Sequence, residues 1–120
     1  MIRTIACGAA LAAVAAAASA QTPAPIQAVR YSCEQGKSLV ADYFDGPART
    51  AANGMPIPGG HVVLTLADGK RLTLPQTLSG SGIRYANADE SFVFWSKGNT
   101  AFVEEGPQHT QTYLGCTASH

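Results

Sequence analysis

The sequence predicts an all-β fold, a small eight-stranded antiparallel β-barrel with one disulfide. Three observations carry this. From Ala28 onward apolar and polar residues alternate with a period of two, turn-forming residues recur at short intervals, and no stretch after the N-terminal segment has helical spacing. Short strands in unbroken series favour an up-and-down or partly open barrel, because closure removes exposed strand edges. A two-sheet sandwich is the competing architecture.

The first 20 residues stand apart from this pattern. Arg3 follows the initiator Met, an apolar run extends from Ile5 to Ala18, and Ala18-Ser19-Ala20 satisfies the small-x-small rule for signal-peptide cleavage. The run, about 14 residues and rich in Ala, falls short of the roughly 20 needed to cross a bilayer. Residues 1–20 are therefore expected to be a signal peptide cleaved after Ala20, with Cys7 in the discarded part and no integral membrane segment in the mature chain. Residues 21–27, with Pro23 and Pro25, read as a flexible leader, and residues 28–120 as the folded domain.

Each element follows from its residues. The first strand is expected over Ala28–Glu34, where Val29, Tyr31 and Cys33 share the apolar face. Gln35-Gly36-Lys37 turns the chain into a second strand over Ser38–Phe44. Residues 45–60 hold four Gly and three Pro and read as a long irregular connection. A third strand covers His61–Leu66, with either Val62, Leu64 and Leu66 or Val63 and Thr65 inward. Asp68-Gly69 reads as a two-residue hairpin turn, and Lys70–Leu74 returns as the fourth strand. Pro75–Gly80 leads into the fifth at Gly82–Ala86. The sixth covers Ser91–Ser96, with Phe92, Phe94 and Ser96 alternating against Val93, Trp95 and Lys97. Gly98-Asn99 is a second tight turn, followed by strands over Thr100–Glu104 and His109–Cys116.

Composition narrows the function. Loss of Arg3 with the signal peptide leaves seven Lys and Arg against eight Asp and Glu, and no basic run. Nucleic acid or an anionic membrane surface as main partner would require a clustered basic face. An oxidising compartment makes a bridge between Cys33 and Cys116, the two remaining cysteines, the default. His61, His109 and His120 are scattered and no Cys-x-x-Cys or His-x-x-x-His spacing occurs, so neither a metal nor another cofactor is expected.

Catalysis finds little support. Asp89-Glu90 and Glu104-Glu105 are adjacent pairs on turns or strand ends, where neighbours point to opposite faces, and solvated edge charges explain them. His109 has no Ser or Cys in a nucleophile context, and Ser81-Gly82 lacks the residues of a nucleophile elbow. The chain reads as a binder, not an enzyme.

Two short segments carry the binding signal, Ser81-Gly82-Ile83-Arg84-Tyr85 and Trp95-Ser96-Lys97-Gly98-Asn99. Lys97 ends an aromatic strand just before a turn. Its ammonium either projects from a stiff hairpin tip into an acidic cleft, losing little freedom on docking, or is an edge-strand lysine that discourages strand pairing. Ser81, between Gly80 and Gly82, sits on a loop able to approach another surface closely. Tyr85 reads as a packing residue, Arg84 as facing the partner or an acid such as Glu104, and Trp95 as a core or barrel-rim aromatic.

The span from Tyr31 to Cys116 resembles the bacterial inhibitors of c-type lysozyme, a family with membrane-bound and periplasmic forms. The matching segments, in order, are Tyr31-Ser32-Cys33, Leu74-Pro75, Ser81-Gly82-Ile83-Arg84-Tyr85, Phe94-Trp95-Ser96-Lys97-Gly98-Asn99 and Cys116. The resemblance implies an eight-stranded barrel whose two loops plug the lysozyme cleft, with Ser81 and Lys97 meeting the catalytic acid and carboxylate. It makes Ser81, Gly82, Arg84, Tyr85, Ser96, Lys97 and Gly98 the expected lysozyme-binding set, and c-type lysozyme the expected partner. The turn at Asn87–Ser91 is slightly longer than the family spacing, and Asn99 stands where the family often has Asp. Gln21 replaces the lipobox cysteine of the membrane-bound members, which favours the soluble periplasmic form. A homodimer is left open. The alternative function is a small envelope β-barrel that binds a glycan or lipophilic ligand, against which Phe92, Phe94, Trp95, Phe102 and Tyr113 are expected to fill the interior.

Overall fold

A computed structural model describes residues 24–119. The signal peptide, its cleavage after Ala20, the assignment of Cys7 and the start of the leader lie outside the described residues. Among the described residues ten strands follow in chain order: β1 (Gln27–Ser32), β2 (Ser38–Phe44), β3 (Arg49–Thr50), β4 (Pro56–Ile57), β5 (His61–Thr65), β6 (Arg71–Thr77), β7 (Ile83–Ala86), β8 (Phe92–Lys97), β9 (Thr100–Glu105) and β10 (Thr110–Ala118). Eight of them form one closed antiparallel barrel in the order β1-β10-β9-β8-β7-β6-β5-β2. Each barrel strand pairs with the next one in the chain, and β10 closes onto β1. Among the described residues no helix is long and apolar enough to cross a membrane.

The period-two alternation becomes an inside and an outside. Leu39, Ala41 and Tyr43 of β2 are buried while Val40, Asp42 and Phe44 are only partly so. In β5 the open register is decided for Val62, Leu64 and, just past the strand, Leu66, all of which belong to the core cluster. Phe92, Phe94 and Tyr113 fill the interior as expected. Trp95 and Phe102 do not. They stack on each other at 6.0 Å on the outer face, because β8 and β9 place the partners Trp95↔Phe102 opposite the inward pair Phe94↔Val103.

Several boundaries differ from the sequence expectation for local reasons. β1 begins at Gln27 and ends at Ser32, since the Cys33 amide donates to the Lys37 carbonyl and the chain turns through positive φ at Gln35 and Gly36. The connection after β2 is not wholly irregular: β3 and β4 form a two-stranded ribbon whose turn Asn53 caps by accepting from the Met55 amide. The β5–β6 turn is three residues, not two. The Gly69 amide donates to the Leu66 carbonyl, the Leu66 amide to the Lys70 carbonyl, and Gly69 takes φ +87°, the pattern of a turn followed by a bulge. β6 runs on through Pro75 to Thr77. Proline is tolerated there because the Gln76 amide points to β5, donating to the Gly60 carbonyl, so the missing amide of Pro75 faces the β7 side, where the ladder begins only at Gln76↔Tyr85.

Cys33 and Cys116 are bonded, joining the end of β1 to β10. β10 reaches this position only through bulges, with register shifts between Gln111 and Tyr113 and between Tyr113 and Cys116. Gly115, at φ +61°, lies in the second, and a Cβ there would meet the Glu34 side chain at 2.9 Å.

Candidate functional site

Pairing of β7 with β8 brings the two signature segments side by side, with Ile83 opposite Ser96 and Arg84 opposite Trp95. Gly82 sets how close they come. At φ +68° it lies directly on the neighbouring strand, where a Cβ would fall 2.7 Å from the Ser96 carbonyl oxygen and 3.1 Å from Lys97 Cβ. Gly82→Ala is expected to cost about 1–3 kcal/mol of stability, from left-handed strain plus displacement of the loop. Gly80→Ala, in open space at ordinary φ, is expected to cost little. Chemical denaturation of the two variants checks the contrast.

Ser81 is exposed at the tip of its loop. The Ser79 hydroxyl holds that tip, donating to the Ser81 carbonyl at 2.6 Å and accepting from the Ser81 amide at 3.2 Å. Sequence reasoning missed Ser79, although a Ser two residues upstream of a glycine-flanked position is the signal of such a turn. Among the described residues the Ser81 hydroxyl makes no hydrogen bond.

Lys97 ends β8 opposite Thr100, whose hydroxyl donates to the Lys97 carbonyl at 2.9 Å. Within the turn that follows, Gly98 takes φ +56° and Asn99 stays at negative φ, as on the first and second central residues of a type II′ hairpin. Lys97 is exposed, and the one ion pair among the described residues, Arg84 with Glu90, does not include it. A hollow of about 230 Å³ lies between Ser81, Lys97, Trp95 and Phe102. On the other side of the hairpin, a cavity of about 380 Å³ at the barrel mouth is lined by Gly82, Tyr85, Ser96, Lys97 and Gly98 among others. Six of the seven expected residues thus gather at one end of the barrel.

Arg84 is the exception. It lies on the outer face with its guanidinium donating to Glu90 at 2.7 Å and Thr77 Oγ1 at 3.0 Å, 5.7 Å from the Trp95 ring centre. Its acid is Glu90, not Glu104. The turn at Asn87–Ser91 folds back through Asn87, which accepts from the Phe92 amide and donates to the Ser91 hydroxyl. That fold carries Glu90, at φ +58°, onto Arg84.

Tyr85 and Ser96 lie beneath the loops, 3 % and 6 % exposed. Tyr85 packs against Tyr43 and Phe94, and the Tyr43 and Tyr31 hydroxyls share a hydrogen bond of 2.7 Å. Burial pushes all three phenols above their ordinary range, Tyr85 to about 12. In the unfolded chain these groups ionise near pH 10, so stability is fully present below that pH. It should fall as pH rises through the window from about 10 to 12 for Tyr85. Denaturation midpoints measured across this range check the sign, and Tyr85→Phe should flatten the decline.

Among the described residues no group of three His, Cys, Asp or Glu could hold a metal ion. Among the described residues, the Lys97 ammonium without an ion pair and the Ser81 hydroxyl without a hydrogen bond stand on neighbouring loops over the buried Tyr85 and Ser96.

Comparison with known proteins gives one consistent finding. Residues 31–111 match the family model described as membrane-bound lysozyme-inhibitor of c-type lysozyme. A protein of Cupriavidus necator named membrane-bound lysozyme inhibitor of C-type lysozyme is 35% identical over 110 residues, covering 86% of this chain and 78% of the relative. A Yersinia enterocolitica protein of the same name is 57% identical over 42 residues, which span 35% of this chain and 34% of that relative. No solved structure matches the chain.

Proposed function

The chain belongs to the family of membrane-bound lysozyme inhibitors of c-type lysozyme, and from that premise we propose that it inhibits a c-type lysozyme by seating the Ser81 and Lys97 loops in the active-site cleft. The observation that carries this reading is the Lys97 ammonium, exposed and, among the described residues, without a counter-charge, on a hairpin that Gly82 packs against the Ser81 loop. A lysozyme cleft holds one protonated acid and one ionised carboxylate. An ammonium delivered there neutralises the carboxylate, and the Ser81 hydroxyl can accept from the acid, while the loops exclude the sugar. The mature chain is nearly neutral, so attraction to the enzyme is local and supplied by this cation.

The surrounding residues then have distinct parts. Gly82 and Gly98 allow the close approach and the turn, Tyr85 and Ser96 form the floor that keeps the loops from yielding, and Arg84 braces the outer face through Glu90 and Trp95. This is binding without turnover. The relatives' names place them at a membrane, consistent with an envelope location. The Gln21 start expected after cleavage supports the periplasmic form for this chain.

A turbidity assay tests the function directly. The mature protein should slow the clearing of bacterial cell walls by a c-type lysozyme in a dose-dependent way and leave goose-type and invertebrate-type enzymes unaffected. Undiminished clearing by the c-type enzyme overturns the reading.

A further inference from the structure

The hairpin that carries Lys97 is held at its tip by a strand that belongs to neither of its arms. The Ala118 amide, at the end of β10, donates to the carbonyl of Asn99, the second central residue of the turn, at 2.7 Å. The next amide goes the other way, Ser119 donating to the Arg30 carbonyl of β1 at 2.8 Å. A strand with an antiparallel neighbour on each side alternates its amides in this manner, so each one serves a single neighbour. Ala118 ties the turn, and Ser119 ties the barrel seam.

The bulges of β10 bring Ala118 to this place. Residues 110–117 lie against residues 100–105 of β9, so the two register shifts take up two extra residues. Without them Cys116, not Ala118, would stand opposite Asn99. Ala118 is itself fixed, because Cys116 is bonded to Cys33 and because Thr117 and Ala118 pair with Ser32 and Tyr31 of β1. The bonds within the hairpin shape the turn, with Gly98 at positive φ and the Thr100 hydroxyl on the Lys97 carbonyl, but they would move with it if the tip swung as a unit. Two restraints act from outside. Gly82 stops the hairpin by contact on the β7 side, and Ala118 holds it by a hydrogen bond on the β10 side.

We infer that Ala118 is a positioning residue for Lys97, its amide holding the turn in the conformation that docks; the inference rests on the proposed insertion of Lys97 into the lysozyme cleft. A tip already ordered before contact loses less freedom on binding than one that must be ordered by it. The end of the last strand thereby contributes to inhibition without touching the enzyme.

Two neighbouring proline substitutions test this in the mature protein. Ala118→Pro deletes the donor to the turn and keeps an apolar body at that position, whereas Ser119→Pro deletes the donor to β1 and leaves the turn bond in place. In the free protein, backbone NMR order parameters at Gly98 and Asn99 should fall from the rigid range near about 0.85 toward about 0.6 in Ala118→Pro and stay unchanged in Ser119→Pro. The inhibition constant against c-type lysozyme should rise about 5- to 30-fold in Ala118→Pro, the factor for ordering one residue's backbone on docking, and hold in Ser119→Pro. Placed on Lys97→Ala, Ala118→Pro should add no further loss, since a positioning residue acts only through the group it positions. Unchanged order parameters, an unchanged constant in Ala118→Pro, equal weakening by Ser119→Pro, or the full additional loss on Lys97→Ala would each overturn the role. Amide exchange in the parent needs no variant: Ala118 exchanging as fast as an open strand end would overturn the bond itself. If the parent protein fails to inhibit, the cleft reading falls instead, and the order parameters still decide whether Ala118 holds the turn.

Discussion

Replacing Lys97 with alanine should raise the inhibition constant against c-type lysozyme by about 30- to 5,000-fold, the equivalent of the 2–5 kcal/mol that loss of one partner of a desolvated charge contact costs. The fold should be untouched, because Lys97 is exposed and the turn after it is made by Gly98 and by the Thr100 hydroxyl on the Lys97 carbonyl. All of these survive the substitution. The assay is the inhibition constant from cell-wall clearing, with circular dichroism and a denaturation curve to show an intact barrel. Lys97→Arg should recover part of the loss, since charge is retained, but not all of it, since a planar guanidinium does not occupy a narrow cleft as a compact ammonium does. An unchanged constant in Lys97→Ala would mean that the cation does not enter the cleft.

The second large effect concerns the barrel seam. Removing the disulfide through Cys33→Ala and Cys116→Ala should lower stability by about 2–5 kcal/mol. The bridge closes a sequence separation of 83 residues, so the unfolded chain gains much freedom when it is absent. The folded state explains where the weakness would show. β1 pairs with β2 over six registered positions but meets β10 at only two, Tyr31↔Ala118 and Ser32↔Thr117. The bridge lies directly beyond that short ladder. Denaturation should therefore give a lower midpoint, and amide exchange should accelerate first at Tyr31, Ser32 and Ala118. A variant as stable as the parent would show that the strand pairing and core hold the seam alone.

Much of the candidate site was legible because it rests on local chemistry. Glycines flanking Ser81, a lysine at a strand end and a Gly-Asn turn after it are each recognisable within a few residues, and the structure places all of them at one end of the barrel. Arg84 was legible as a charged residue on the fifth strand but not in its partner. Glu104 and Glu90 are both within plausible reach in sequence, and the choice falls to Glu90 because Asn87 folds the intervening turn back over the outer face. Trp95 and Phe102 show the same limit from the other side. Large aromatics favour burial, and only the register of β8 against β9 makes them stack with each other outside.

The succession of strands, the pairing of Cys33 with Cys116 and the two loops that carry Ser81 and Lys97 can all be read along the chain. Those features follow from period-two alternation, turn chemistry and cysteine arithmetic, which act between near neighbours or by elimination. Which face of β5 is inside, how Gly82 fixes one loop on the other, and where β10 bulges emerge only in the closed barrel. Each of these depends on how far one strand is shifted along another when the sheet closes, and that shift arises from bulges and steric contacts between residues distant in the chain.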